Sequence, residues 1–333
     1  MSAIIHQFVV HQLAINEAQE LNIIPRSQCF EISPQIENLV EQLNQAYAAK
    51  PGKGVGGLDA PQDDNFSGLL GQLQDDDQSF YQFSLQTTEL LKKTLVEFAT
   101  IETGFIVFSR YQFLATDYLF IGLLNTKRHV EIDHSLELSY RDHLDIARMQ
   151  LAVRIDLTEQ RVNPDNNRYV SFIKGRMGRK VSDFFLAFIG CEELVDIKQQ
   201  NKQLVSVVDD YFQTEQLDNY EKQQGRQQMA SYYKEKIEQG EDIQLTELAD
   251  KLPKGENSFI EFARSIENPL EDKFQADPTV IKSMNKFSGA GGGLTLSFER
   301  KLLGDRVQYD PHSDTLLIKG VPPNLKDQLL KSS

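Results

Sequence analysis

Between residues 105 and 157 the chain passes through four short apolar segments: Phe105–Phe108, Asp117–Leu124, Val130–Leu138 and Leu151–Leu157. Sequential strands at this spacing favour an antiparallel or mixed sheet with helices packed on it, an α+β layer. Only a short helix, Asp142–Arg148, is expected among them. The first 33 residues read the same way: Ile5, Val9 and Leu13 alternate with polar neighbours, and Cys29–Ile32 repeats the style.

Two helices interrupt the strands. Ser33 as N-cap and Pro34 at the first helical position open one, with an apolar face of Ile36, Leu39, Val40, Leu43 and Tyr47. A second is expected over Asp77–Ala99, with Asp75, Asp76 and Asp77 at its positive dipole end. That triplet lacks the spaced oxygens and central glycine of a calcium loop, so it is a helix-start signal rather than a metal site.

The remainder is a helical segment and a small C-terminal β-containing region. Asn201–Gln239 is polar and Gln-rich, with one stripe of Leu204, Val207, Val208 and Tyr211 and another of Met229, Tyr232, Tyr233 and Ile237. Such stripes pack on a domain, join two domains or form a dimer contact, so a homo-oligomer stays open. Short helices follow near Thr246–Lys251 and Ser258–Ser265. Strands Leu294–Phe298, Val307–Tyr309 and Leu316–Lys319 close the chain, with a turn at Asp310–Asp314. The expected division is residues 1–195, an N-terminal α+β domain, and 196–333, the helical segment and C-terminal hairpin region.

The 333 residues carry 35 Lys+Arg against 49 Asp+Glu, a net charge of −14. A uniformly basic polyanion binder is excluded. The charge is uneven, however. Residues 1–140 hold 8 basic and 18 acidic side chains, 141–182 hold 9 and 5, 183–278 hold 10 and 21, and 279–333 hold 8 and 5. Two basic islands therefore sit in an acidic background, and contacts are decided by local charge.

Motifs for chemistry are scarce. Gly52–Gly57 spells G-x-G-x-x-G, but it follows a helix and leads into Asp59, Asp63 and Asp64, which repel phosphate. Lys50–Gly71 is expected to be a surface loop. The six histidines show no ligand spacing; His129 and His134, five apart on one strand, would face opposite sides. Cys29 and Cys191 form no CxxC and no disulfide framework, which suits a reduced cytoplasmic setting. There is no catalytic constellation, no metal site and no implied cofactor. The N-terminus lacks a basic n-region and is not expected to be a signal peptide. The apolar stretches Tyr118–Leu124 and Phe184–Cys191 fall far short of the roughly 20 residues a membrane helix needs, so no membrane contact is expected.

The strongest local feature is Arg168–Phe185. A loop rich in Lys, Arg and Gly leads into a helix whose buried face is Val181, Phe184, Phe185 and Phe188. Cations and helix N-terminal amides suit phosphate oxygens. The candidate contacts are Arg154, Arg161, Arg168, Lys174, Arg176, Arg179 and Lys180. Lys282, Lys286, Arg300, Lys301 and Arg306 are a possible extension. The glycine run offers an anion nest from Gly289, Gly291, Gly292 and Gly293, or else a plain connector.

At these residues the chain resembles the bacterial nucleoid-associated protein family often called NdpA. The likeness covers Val153–Glu159, Asn163-Pro164, Arg168–Phe185, Gly291–Thr295, Asp314–Leu316, Ile318–Leu325 and Asp327–Leu329, with weaker similarity through the N-terminal half. The resemblance implies a cytoplasmic protein that localises with the nucleoid and binds DNA. It supplies no catalytic residues and no individual DNA contacts. The reading is a non-enzymatic DNA-binding protein that touches the phosphate backbone through local basic patches. The alternative is an acidic adaptor recruited by a chromosome-bound protein such as a topology or replication factor. A metal-dependent nuclease is a third and weaker reading.

Overall fold

A computed structural model of the chain describes residues 3–132, 134–149, 151–173, 178–255 and 257–332, with the side chains of Pro164, residues 178–182 and Ser332 excepted. The chain divides into two compact units. One holds residues 1–200 and 237–241, the other residues 201–236 and 242–333.

The first unit is built on an eight-stranded sheet. Its elements are β1 (Ile4–Ile15), β2 (Leu21–Ile24), α1 (Pro34–Ala48), β3 (Lys53–Leu58), α2 (Phe66–Gly71), α3 (Asp77–Glu97), β4 (Gly104–Phe113), β5 (Thr116–Leu124), β6 (Thr126–Ile132), β7 (Leu138–Leu144), β8 (Leu151–Asp156), α4 (Leu157–Val162), β9 (Val170–Ile173), α5 (Gly178–Ile189) and β10 (Cys191–Asp196). The sheet order is β10-β3-β9-β8-β5-β4-β1-β2, and every neighbouring pair is antiparallel. The expected α+β class is found, with the sheet wholly antiparallel.

Both faces of this sheet are buried, and alternation along each strand decides which residue serves which face. On one face Ile106, Phe108, Leu119, Ile121, Val153 and Ile155 pack with Phe80 and Phe83 of α3 and Phe184 and Phe188 of α5. On the other, Val107, Tyr111, Phe120 and Ala152 pack with Ile36, Val40, Leu43 and Tyr47 of α1. Pro34 stands in the first turn of α1, and Ser33 has the extended backbone of an N-cap. At α3 the side chain of Asp76 accepts from the Ser79 backbone N–H, and Asp75 instead pairs with Arg110. The acidic triplet thus starts a helix, as expected.

Four local expectations need correction. Cys29–Ile32 forms no strand; the Phe30 backbone N–H donates one bond to the Phe8 carbonyl and the segment leads directly into α1. Lys50–Gly71 is not a loop, because it contains the interior strand β3 and helix α2. Glycine there serves close approach rather than flexibility: a Cβ on Gly56 would lie 2.1 Å from the Glu192 carbonyl oxygen of the paired strand. Val130–Leu138 is not one strand but the end of β6, a turn and the start of β7. Asp142–Arg148 is strand up to Leu144, followed by a single 3-10 turn at Ile146–Arg148.

Helices α6 (Ile197–Thr214) and α7 (Asn219–Gln239), which fall mostly in the second unit, replace the single helical segment expected. Both predicted stripes are buried at Leu204, Val207, Val208, Tyr211, Met229, Tyr232 and Tyr233. Then come β11 (Ile243–Gln244), α8 (Leu245–Lys251), α9 (Phe259–Ser265), β12 (Lys273–Phe274), α10 (Thr279–Asn285), β13 (Lys286–Gly291), β14 (Leu294–Glu299), β15 (Val307–Asp310), β16 (Thr315–Ile318) and α11 (Pro323–Ser332). Tyr211 joins α6 to the loop before α9: its hydroxyl donates to the Asn257 carbonyl at 2.9 Å and accepts from the Gly255 N–H at 3.1 Å. The β15–β16 hairpin turns through residues 311–314, close to expectation. Helix α11 was not anticipated.

Candidate nucleic-acid interface

Within the second unit, Lys222 and Arg226 lie one turn apart on α7, which places them on the same helix face. The 3-10 turn after β14, Arg300–Leu302, brings in Arg300 and Lys301. Lys286 opens β13 and pairs across the hairpin with Glu299. These five cations line one cavity of about 670 Å³, together with two carboxylates, Asp209 and Glu299.

Asp209 of α6 organises the floor. Its two oxygens take Arg226 Nε at 2.8 Å and Arg300 Nη1 at 3.4 Å. Arg300 also donates from Nε to the Ser283 carbonyl at 2.8 Å, and its guanidinium carbon sits 4.3 Å from the Phe287 ring centroid. Burial, foremost, and the neighbouring Arg226 cation pull the Arg300 pKa below the ordinary arginine value, against the opposing pull of Asp209. One carboxylate thus serves two guanidinium groups. Glu299 is held by Lys301 at 2.6 Å. Lys222 and Lys286 form no ion pair among the described residues, so the cavity keeps a positive excess in an acidic protein. Fixed guanidinium groups beside free ammonium groups suit phosphate oxygens.

The sequence-derived candidates fall in different places. Lys286, Arg300 and Lys301 are brought together here. Lys282 is exposed on α10. Arg306 is exposed and lies along its own hairpin, donating to the Lys319 and Gly320 carbonyls. Gly289 and Gly291 lie on β13, and Gly292 and Gly293, with φ of +57° and +80°, make its two-residue turn to β14. Two successive left-handed residues are the signature of a type I′ hairpin, whereas a nest alternates hands.

In the first unit, Arg154 is only 7% exposed, with its guanidinium among the rings of Tyr118 and Tyr47. Burial removes it from any surface patch. Arg161 is exposed but pairs with Asp117 at 2.8 Å. Arg168 is exposed in the loop before β9. Lys174 and Arg176 lie outside the described residues, as do the side chains of Arg179 and Lys180 in the first turn of α5.

Sequence reasoning missed Lys222, Arg226 and Asp209. Their segment, 183–278, has a large acidic excess that hides a local cationic pair. The i, i+4 spacing of Lys222 and Arg226 was the available signal.

Other chemistry finds little footing. Among the described residues no group of three or more His, Cys, Asp or Glu could hold a metal ion. Among the described residues no helix is long and apolar enough to cross a membrane. Cys29 and Cys191 are buried free thiols, pushed up to about 11 and about 12 chiefly by burial, so neither is an activated nucleophile.

Comparison with known proteins places this architecture. A family model described as nucleoid-associated protein YejK matches residues 9–326. A nucleoid-associated protein of Shewanella sp. strain ANA-3 is 42% identical over 335 residues, covering 99% of this chain and 98% of the relative. One from Aliivibrio salmonicida is 41% identical over 333 residues, with 99% and 98% covered. One from Vibrio parahaemolyticus is 40% identical over 334 residues, covering the full length of both. Sequence likeness of this extent, continuous through both units, makes the chain a member of the bacterial nucleoid-associated protein family described by YejK.

Proposed function

We propose that the chain binds DNA directly, without chemistry on it, through phosphate contacts made by local cationic patches. The observation that carries this reading is the unit-two cavity, where Lys222, Arg226, Lys286, Arg300 and Lys301 outnumber Asp209 and Glu299. Phosphate contacts position a protein on DNA without reading its sequence, so binding should be nearly indifferent to sequence. The acidic remainder repels the duplex and confines contact to such patches. Exposed Lys282 is a candidate to extend this contact, and Arg168 with the basic segment ending in Lys180 is a candidate for a separate patch on the first unit.

The test is a salt titration of binding to a short duplex. Changing Lys222, Lys286 and Lys301 together to Ala should lower affinity and flatten the log–log salt slope by roughly 2.7, about 0.9 per phosphate contact. Unchanged affinity and slope would remove the cavity from the DNA contact. Intact DNA after incubation with magnesium supports the non-enzymatic part; nicking overturns it.

The adaptor reading is favoured by one specific feature. Edge strand β10 exposes Glu192, Glu193 and Asp196, a side that suits a basic protein and not DNA. Wild-type protein that ignores naked DNA yet is retained by a chromosome-bound protein would select it.

A further inference from the structure

The cationic cavity of the second unit is more recessed than contact with a duplex requires. Its floor is Arg226, Arg300 and Asp209, whose side chains are 21%, 19% and 23% exposed. Lys286 and Lys301 are exposed, and Lys222 is half-buried. A duplex is stiff and carries its phosphates on a convex surface, so it meets the exposed lysines and leaves the floor unused. A slender, flexible anion reaches both. The volume of about 670 Å³ falls within the range of small-molecule sites.

Charge sets the class of that anion. Five cations against two carboxylates leave an excess of three. A single phosphomonoester brings about two negative charges at most and leaves the site under-neutralised. A chain of two or three phosphates matches it.

The lining carries a second kind of group. Asn219, Lys222, Gln223, Arg226 and Gln227 recur at intervals of three and four along α7, so cations and amides alternate on one helix face. Gln213 of α6 joins them. The side-chain amides of Gln213, Asn219, Gln223 and Gln227 make no hydrogen bond among the described residues. Each amide offers an acceptor as well as donors. Ionised phosphate is acceptor-only and has no use for the amide oxygens. Ribose hydroxyls and the polar edge of a base, which both donate and accept, do.

We propose that this cavity is a binding site for a free nucleoside di- or triphosphate, which competes with DNA for Lys222, Lys286 and Lys301. The inference rests on the phosphate reading of the cavity given above and adds a second ligand to it.

Calorimetric titration of the full chain with ATP, GTP and sodium tripolyphosphate, without divalent ions, tests it. A duplex titration runs in parallel. ATP or GTP should bind roughly 10-fold more tightly than tripolyphosphate. Charge alone predicts the reverse, since tripolyphosphate packs as many charges into a smaller ion. Lys222→Ala with Lys286→Ala should weaken nucleotide and tripolyphosphate alike, by roughly 30-fold. Gln223→Ala with Gln227→Ala should weaken the nucleotide and narrow its lead over tripolyphosphate. None of these four side chains is buried, so circular dichroism melts should match wild type. Saturating nucleotide should displace a labelled duplex from the wild-type protein. Duplex binding with no nucleotide bound at millimolar concentration overturns this inference and leaves the DNA reading standing. So does nucleotide binding that ignores the lysine pair, or a tripolyphosphate that binds as tightly as ATP and GTP. Nucleotide bound under those rules by a protein that ignores the duplex supports the site and overturns the DNA reading instead.

Discussion

The guanidinium carbon of Arg154 lies 4.8 Å from the centroid of the Tyr118 ring. It lies 5.4 Å from that of Tyr47, on the face of the sheet covered by α1. A cation held by two rings in a nearly buried layer is a packing element, worth more than an exposed one because water does not compete. Arg154→Ala should destabilise the first unit by about 2 kcal/mol in urea unfolding. It should leave the salt slope of DNA binding at the wild-type value. A flattened slope with unchanged stability would instead return Arg154 to the DNA contact.

The cavity predicts an opposite pair of effects at Asp209. This carboxylate neutralises Arg226 and Arg300 and competes with any incoming phosphate. Asp209→Asn should lower stability by roughly 1–2 kcal/mol, because two partly buried guanidinium groups lose their counter-ion. The same change should strengthen DNA binding and steepen its salt dependence. Weaker binding by a folded Asp209→Asn protein would argue against phosphate occupancy of the cavity.

Gly56 sits where β3 and β10 meet, with no room for a methyl group beside the Glu192 carbonyl. Gly56→Ala should cost about 3 kcal/mol, since the two backbones must separate. Hydrogen exchange should show the loss concentrated in the amides of β10. Wild-type protection there would mean that β10 is not paired as described.

His11 gives the first unit a defined acid sensitivity. It is 1% exposed, and burial pushes its imidazole down to about 4. Ser84 Oγ donates its own proton to the Tyr81 carbonyl at 2.7 Å, so His11 Nε2–H donates to Ser84 at 2.8 Å. His11 Nδ1 accepts from the Arg26 N–H at 3.3 Å. A second ring proton would have to face that N–H. The unfolded imidazole titrates near 6.5, so the unfolded chain holds more protons between about pH 4 and 6.5. The associated stability is present in full above that window and is lost as pH falls through it, by roughly 3 kcal/mol in total. Urea unfolding at pH 7 and pH 4.5 should show this drop for wild type, and His11→Gln should remove most of the difference. Equal pH dependence of the two proteins would contradict it.

Much of this fold was legible in the chain. The alternation at Ile5, Val9 and Leu13, the Ser33-Pro34 helix start and the acidic helix-start signal at Asp75–Asp77 are local signals, and local signals survive without knowledge of the partners. The stripes on α6 and α7 were readable for the same reason. What failed depended on partners. The glycines of β3 look like a loop until β10 is placed against them. The segment Val130–Leu138 reads as one strand because its turn contains Leu136, an apolar residue at φ +63°. Among site residues, Lys286, Arg300 and Lys301 were visible as charge, while Lys222 and Arg226 were masked by acidic neighbours in sequence.

Composition and periodicity by themselves determined an acidic α+β chain with helices on a sheet, and the motif spelling carried the family resemblance. Both are properties of residues taken in order. Only the tertiary structure decided which cations are available. It closed rings around Arg154 and turned Arg306 onto its own backbone. It set Arg226 and Arg300 on one carboxylate and left Lys222 and Lys286 facing a cavity. The physical reason is that the worth of a charge depends on desolvation and on the nearest opposite charge. Both are set by residues far away in sequence.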